Sequence, residues 1–210
     1  MRKGNAILAA LLAVFMLNGA PARYTREPAE KDSRAMKAHE QEYGKLNPKA
    51  APELSRFAFL IGMWRCEVKL KREDATWENL KATWEGRYIL DGYAIADEYR
   101  MTTAAGELFV LGVNLRSYDA KKKAWNMKWL NALSGTWVDL GPEELGGVEI
   151  SDKTIRLSMK GPVGGHALER ATYSNISAEH FTWRGERSND GKTWEEFIVI
   201  EAYRSGRGTD

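Results

Sequence analysis

The 210-residue chain has one cysteine, Cys66. A single thiol cannot close an internal disulfide, so a cross-linked scaffold is excluded and the fold must stand on its hydrophobic core. Cys66 lies in an apolar strand pattern and reads as a small buried packing residue; an intermolecular disulfide or a reactive thiol are the other readings. Histidine is scarce too. His39, His166 and His180 show no His-x-x-x-His spacing, and there is no Cys-x-x-Cys, so no metal site is expected. No Gly-x-x-x-x-Gly-Lys phosphate loop and no Gly-x-Ser-x-Gly nucleophile elbow occurs. Neither sign of charge dominates, with 31 Lys and Arg against 29 Asp and Glu. Without a basic stripe there is no electrostatic case for nucleic acid. No internal repeat or low-complexity tract is present, and no linker divides the chain after Pro52. The longest apolar run, Ala6 to Leu17, is twelve residues, short of the ~20 that span a bilayer.

That run follows Met1-Arg2-Lys3 and precedes Ala20-Pro21-Ala22, the layout of a secretory signal peptide cut after Ala22. An uncleaved N-terminal anchor is the alternative. Cleavage removes Arg2 and Lys3 and leaves 29 basic residues against 29 acidic ones. A periplasmic or secreted location and no stable membrane span in the mature chain are therefore expected. Residues 23–50 form a polar leader, helical over Ala29–Tyr43 or mobile. Pro52–Leu60 reads as a short helix with Pro52 in its first turn, and Leu54, Phe57, Ala58 and Ile61 on one face. Such a helix suits the end of a barrel.

From Met63 to Arg204 the pattern is strand after strand, with turn signals about every ten residues. Trp64, Cys66, Val68 and Leu70 alternate with charged residues, as a strand with one buried face requires. Trp84, Gly86 and Tyr88 share one parity, as do Trp125, Met127 and Trp129. Asp91-Gly92 marks a tight turn. Gly161-Pro162 and Gly164-Gly165 read as a loop. Ser188 to Trp194 resembles a sialidase Asp-box but is one residue short and occurs once, so a hairpin is preferred. The expectation is an all-β fold over 51–205: an antiparallel up-and-down lipocalin-like barrel of nine to eleven strands, capped by the short helix. Closure removes exposed edges, and a barrel of this size can hold one small ligand.

Gly62-Met63-Trp64, opening the first strand after a short helix, resembles the lipocalins and the wider calycin group. That resemblance implies that Trp64 closes the barrel bottom beneath an arginine from the last strands, with Arg204 the best-placed match and Arg184 second. Over Pro52 to Arg204, "FLIGMW", "TWEGRYILDGY", "YDAKKKAW", "FTWRGERSNDGKTWEEF" and "EAYR" together resemble a family of exported bacterial proteins of unknown function. The likeness implies a lipocalin-like barrel and brings no catalytic or ligand residues with it. Nitrobindin-type barrels bind haem through a His on a late strand. His166 and His180 fall in late strands here without the rest of that pattern, so no cofactor is expected.

Charged residues inside the apolar strands leave two readings. Glu98, Arg100, Arg156, Glu169 and Arg170 belong to a solvated outer face, or some point inward and must pair or meet a polar ligand group. On the second reading Glu98 and Arg100 orient the polar head of a ligand held by Trp84, Tyr88, Trp125, Trp129 and Trp183, although ordinary core packing also accounts for those aromatics. Three functions remain. The first is an exported binder of a small hydrophobic or amphipathic molecule. The second is an isomerase, lyase or hydrolase using Glu98 or Asp97 as a base. The third is a packed envelope module without a ligand. No catalytic residue is assigned, and oligomeric state is not legible.

Overall fold

The structure, a computed structural model, describes residues 44–163 and 166–205 and leaves the side chains of 161–163, 166 and 167 undescribed. The signal segment and the leader helix expected over Ala29–Tyr43 lie outside the described residues. Period-two alternation has produced eleven strands, the top of the expected range: β1 (Gly62–Lys71), β2 (Trp77–Ile89), β3 (Ala94–Thr102), β4 (Leu108–Asp119), β5 (Ala124–Asn131), β6 (Thr136–Leu140), β7 (Leu145–Ile150), β8 (Ile155–Val163), β9 (His166–Ser174), β10 (His180–Ser188) and β11 (Glu195–Arg204). Sequence neighbours pair antiparallel throughout except β6 and β7, and β1 also pairs with β11. The order runs β6-β5-β4-β3-β2-β1-β11-β10-β9-β8-β7. This is an up-and-down, lipocalin-like barrel, closed except for a seam between β6 and β7. There the chain crosses in four residues, with the Leu145 N–H donating to the Gly141 carbonyl at 2.9 Å.

The capping segment forms over Pro52–Leu60 as expected, but as a 3₁₀ helix. Three residues per turn align Leu54, Phe57 and Leu60, all buried, and leave Ala58 exposed and Ile61 half-buried. The face expected from a 3.6-residue period is thus replaced by an i, i+3, i+6 face. Burying three such side chains contributes about 5–9 kcal/mol at most, enough to hold so short a helix. Residues 44–50 continue the anchoring. Asn47 donates from Nδ2 to the Asp91 carbonyl at 2.9 Å, and Leu46 and Ala50 pack against the core. Gly161 and Pro162, expected in a loop, belong to β8, whose register with β9 shifts between Lys160 and Val163. Proline is tolerated in a strand at such an irregularity. Cys66 is buried on the inner face of β1, and burial pushes its thiol up to about 12.

Candidate ligand cavity

The barrel bottom is built from Gly62, Trp64 and Arg204. The Trp64 indole donates to the Leu60 carbonyl at 3.1 Å. The Arg204 guanidinium lies 4.1 Å above the Trp64 ring and donates to the carbonyls of Ile61 at 3.0 Å, Phe59 at 3.4 Å and Ala178. One arginine therefore ties the cap, β1 and the β9–β10 turn together and satisfies carbonyls that the short helix leaves free. Gly62 has φ +117°, and a Cβ there would sit 2.6 Å from Arg204 Nη1. The positive φ calls for glycine, and a side chain there would push the Arg204 guanidinium off its contacts. Arg184, the second match, pairs on the outer face with Glu196 at 3.5 Å.

Above the cap the aromatics pack edge to face. Phe57 meets Trp125 at 4.9 Å, Trp64 meets Phe181 at 4.8 Å, and Trp84 meets Tyr99 at 5.3 Å. This layer fills the capped end of the barrel. Over it lies a cavity of about 320 Å³, whose apolar walls include Trp84, Tyr99, Met101, Trp129, Trp183 and Phe197.

The cavity floor is polar. Asp97 is fully buried and Arg116 is 2% exposed, and they form an ion pair through Oδ2 and Nη1. The other carboxylate oxygen of Asp97 accepts from Trp84 Nε1 at 2.8 Å and from Asn114 Nδ2 at 3.1 Å. Arg116 Nη2 donates to the Tyr173 hydroxyl at 3.0 Å, and the guanidinium stands 5.2 Å from the Phe57 ring centroid. Burial lowers the arginine's pKa, with the Tyr173 contact opposing it, yet a guanidinium stays charged in a protein. Burial likewise raises the Tyr173 phenol, against the pull of Arg116. A buried charge pair needs its remaining lone pairs and protons satisfied, and Trp84, Asn114 and Tyr173 supply most of that.

At the other end of the cavity sits Glu169. It shares the inner parity of β9 with Ala171 and Tyr173 and lies opposite Met159 of β8 and Arg187 of β10. Burial raises its pKa, with Arg187 opposing the shift.

Of the aromatics expected at a ligand, Trp84, Trp129 and Trp183 line the cavity. Tyr88 and Trp125 are buried below it, Trp125 between Phe57 and Tyr118, and serve the packed layer. The inward Glu98/Arg100 pair is corrected. Both side chains are half exposed on the outer face, 3.8 Å apart. The inner parity of β3 is Ile95, Asp97, Tyr99 and Met101. Ala94 and Ala96 are also buried, which makes the outer parity look apolar at its start and hides the alternation. The inward-facing acid of β3 is therefore Asp97, and its partner Arg116 comes from β4. Asp97 can be found from sequence as the one charge flanked at i±2 by Ile95 and Tyr99. Arg116 and Tyr173 carry no local signal, since strand register alone brings them to Asp97.

The remaining charged candidates divide by parity. Arg156 is outside, 3.2 Å from Glu149. Arg170 is outside too, with Nε and Nη2 each 2.7 Å from a Glu186 oxygen. His180 Nε2 lies 2.9 Å from Glu201 Oε2, on the outer parity of β10, where it cannot reach the lumen. The His166 side chain lies outside the described residues. The Ser188–Trp194 segment is a hairpin turn. The Asp190 carboxylate accepts from the backbone of Lys192 at 2.8 Å and Thr193 at 2.7 Å, and these bonds hold its pKa down at about 2.

The fold and this cavity define an up-and-down barrel with a capped bottom and an internal pocket. Among solved structures, the crystal structure of Rv2717c from M. tuberculosis matches with a TM-score of 0.51 and 10% identity, over 75% of this chain and 100% of that one. A redesigned β-barrel, mFAP1, bound to DFHBI, matches with a TM-score of 0.36 and 14% identity, over 70% of this chain and 95% of that one. At 10% identity the likeness to Rv2717c shows a shared fold, and the second likeness is too slight to add to it. No protein-family model matches the chain, and no curated protein matches it in sequence.

Proposed function

We propose that this protein binds a small hydrophobic or amphipathic molecule in the barrel cavity, after export through the segment 1–22. The cavity carries the reading. Its volume of about 320 Å³ falls in the range of small-molecule sites, and apolar walls with a few converging polar groups are the usual lining of such sites. The cavity counts against the packed envelope module, which needs a filled barrel. Among the described residues, no helix is long and apolar enough to cross a membrane.

Trp84, Trp129 and Trp183 in the walls give the test a built-in reporter. Titration with naphthalene-based lipophiles is expected to quench tryptophan emission saturably and to raise the melting midpoint. Ala171 is buried in the cavity wall. Ala171→Leu is expected to fill part of the space and weaken binding about tenfold or more without loss of fold, since overpacking costs about 1–3 kcal/mol. No saturable binding across such a panel overturns the proposal. An enzymatic reading of the same cavity draws on Glu169, a cavity carboxylate with a raised pKa. Chemical change in a bound molecule, followed by mass spectrometry, would favour it over simple carriage.

A further inference from the structure

We infer that the cavity floor selects molecules bearing a neutral hydrogen-bond acceptor oxygen, such as a ketone, aldehyde or ester carbonyl, held by Tyr173 and Arg116. The inference rests on the binding reading above and names the ligand class for that site.

The reasoning is a count of donors and acceptors. The Tyr173 oxygen interacts with the Arg116 guanidinium and the Trp183 indole, both of which only donate. Its own hydrogen has no acceptor among the described residues. Arg116 Nε is buried without a hydrogen-bond partner among the described residues. Tyr173 and Arg116 both line the cavity. Asp97 is already committed: one oxygen takes Trp84 and Asn114 and the other takes Arg116. Two buried donors at the floor, the Tyr173 hydroxyl and Arg116 Nε, are therefore left without an acceptor among the described residues. An apolar molecule reaching them leaves both unpaired, which is costly, and an acceptor oxygen satisfies them.

Neutrality follows from the charges. Asp97 and Arg116 balance each other within the barrel, so a carboxylate brought alongside them would add one uncompensated buried negative charge. Glu169, across the cavity, would add to the repulsion when ionised. A carbonyl oxygen accepts two hydrogen bonds without that penalty, and it reproduces the bonds of any water it displaces.

Three probes of matched shape decide the matter on the whole purified protein: 2-acetylnaphthalene, 2-ethylnaphthalene and 2-naphthoate, titrated by calorimetry and tryptophan quenching. The ketone is expected to bind about tenfold tighter than the hydrocarbon, a net gain ordinary for a hydrogen bond to a charged donor, and tighter than the carboxylate. Tyr173→Phe is expected to cut the ketone's advantage to about two- to threefold, with 2-ethylnaphthalene binding at least as tightly as it does to wild type because it no longer strands that hydroxyl. Far-ultraviolet circular dichroism and a cooperative melt show whether the variant barrel is folded. If Tyr173→Phe does not fold, the wild-type series alone decides. Equal affinity for ketone and hydrocarbon overturns the selection of acceptors but leaves the binding proposal standing. Tightest binding by 2-naphthoate overturns neutrality and makes the floor an anion receptor. Saturable binding by none of the three overturns the cavity reading, and this inference with it.

Discussion

The Asp97–Arg116 pair lends itself to a double-mutant cycle. Both residues are almost fully buried, at 0% and 2% exposure, so removing one strands the other. Arg116→Met leaves Asp97 with two neutral donors and no counter-charge, and loss of one partner of a buried pair costs about 3–5 kcal/mol. Asp97→Asn retains an acceptor oxygen for Trp84 and Asn114 but leaves the guanidinium uncompensated, at a similar cost. The double variant buries no charge. It loses mainly the Arg116–Tyr173 hydrogen bond, about 1 kcal/mol net, plus imperfect packing. Each single variant is therefore expected to lose about 3–5 kcal/mol and the double about 1–2 kcal/mol, a coupling of at least about 4 kcal/mol. At roughly 2–4 °C per kcal/mol for a domain of this size, each single substitution lowers the melting midpoint by about 6–20 °C. Urea denaturation followed by circular dichroism at pH 7 measures all four corners of the cycle. A second axis is pH. In Arg116→Met the stranded carboxylate can escape its penalty by taking up a proton, so the deficit against wild type should shrink on acidification. Additive single costs in the double variant, or a loss under about 1 kcal/mol for Arg116→Met, would refute the pair as one energetic unit.

Two further outcomes follow from the geometry. A Cβ on Gly86 would sit 2.1 Å from the Leu60 carbonyl oxygen, so Gly86→Ala should cost about 1–3 kcal/mol and open Pro52–Leu60 to proteolysis while strand content holds; unchanged protection of that segment would contradict it. Burial raises the Glu169 pKa, so its ionised form is disfavoured in the native state. This stability is fully present below the ordinary carboxylate value and is lost as pH climbs through the raised one. Glu169→Gln is expected to melt higher than wild type at pH 7 and at the same temperature as wild type at pH 4. A variant less stable than wild type at pH 7 would mean that attraction to Arg187 outweighs burial.

How far the sequence reached can be followed strand by strand. In β1 the alternation of Trp64, Cys66, Val68 and Leu70 with charged residues matches the burial pattern, because that strand has one wet face and one dry one. In β4 the same rule misleads. Phe109, Leu111, Val113 and Leu115 form its most apolar parity, yet pairing with β3 puts Val110, Gly112, Asn114 and Arg116 inside. A polar floor makes the inner face of β4 less hydrophobic than its outer one, so hydropathy inverts where the site is. β3 misleads for a related reason, since its inner face carries Asp97 while small alanines sit on the outer one. The candidate aromatics fared better. Three of five line the cavity, because large rings on inner parities must fill the lumen whether they pack or bind. Height along the barrel separates Trp84, Trp129 and Trp183 from Tyr88 and Trp125, and parity says nothing about height.

The sequence by itself determined the class of fold. Local alternation, turn residues and short connections leave antiparallel neighbours as the only economical pairing, and Gly62-Met63-Trp64 with a late arginine marks the closed end. Those are short-range constraints, readable residue by residue. Tertiary structure decided the site. Asp97 and Arg116 are 19 positions apart and Arg116 and Tyr173 are 57 apart. Their meeting depends on the cumulative register from β4 through β3, β2, β1, β11 and β10 to β9, in which a shift of one residue turns every side chain to the opposite face. The 3₁₀ cap sets where the packed layer ends and the cavity begins, so the volume left above Phe57 and Trp64 is a property of the closed barrel and of no segment within it.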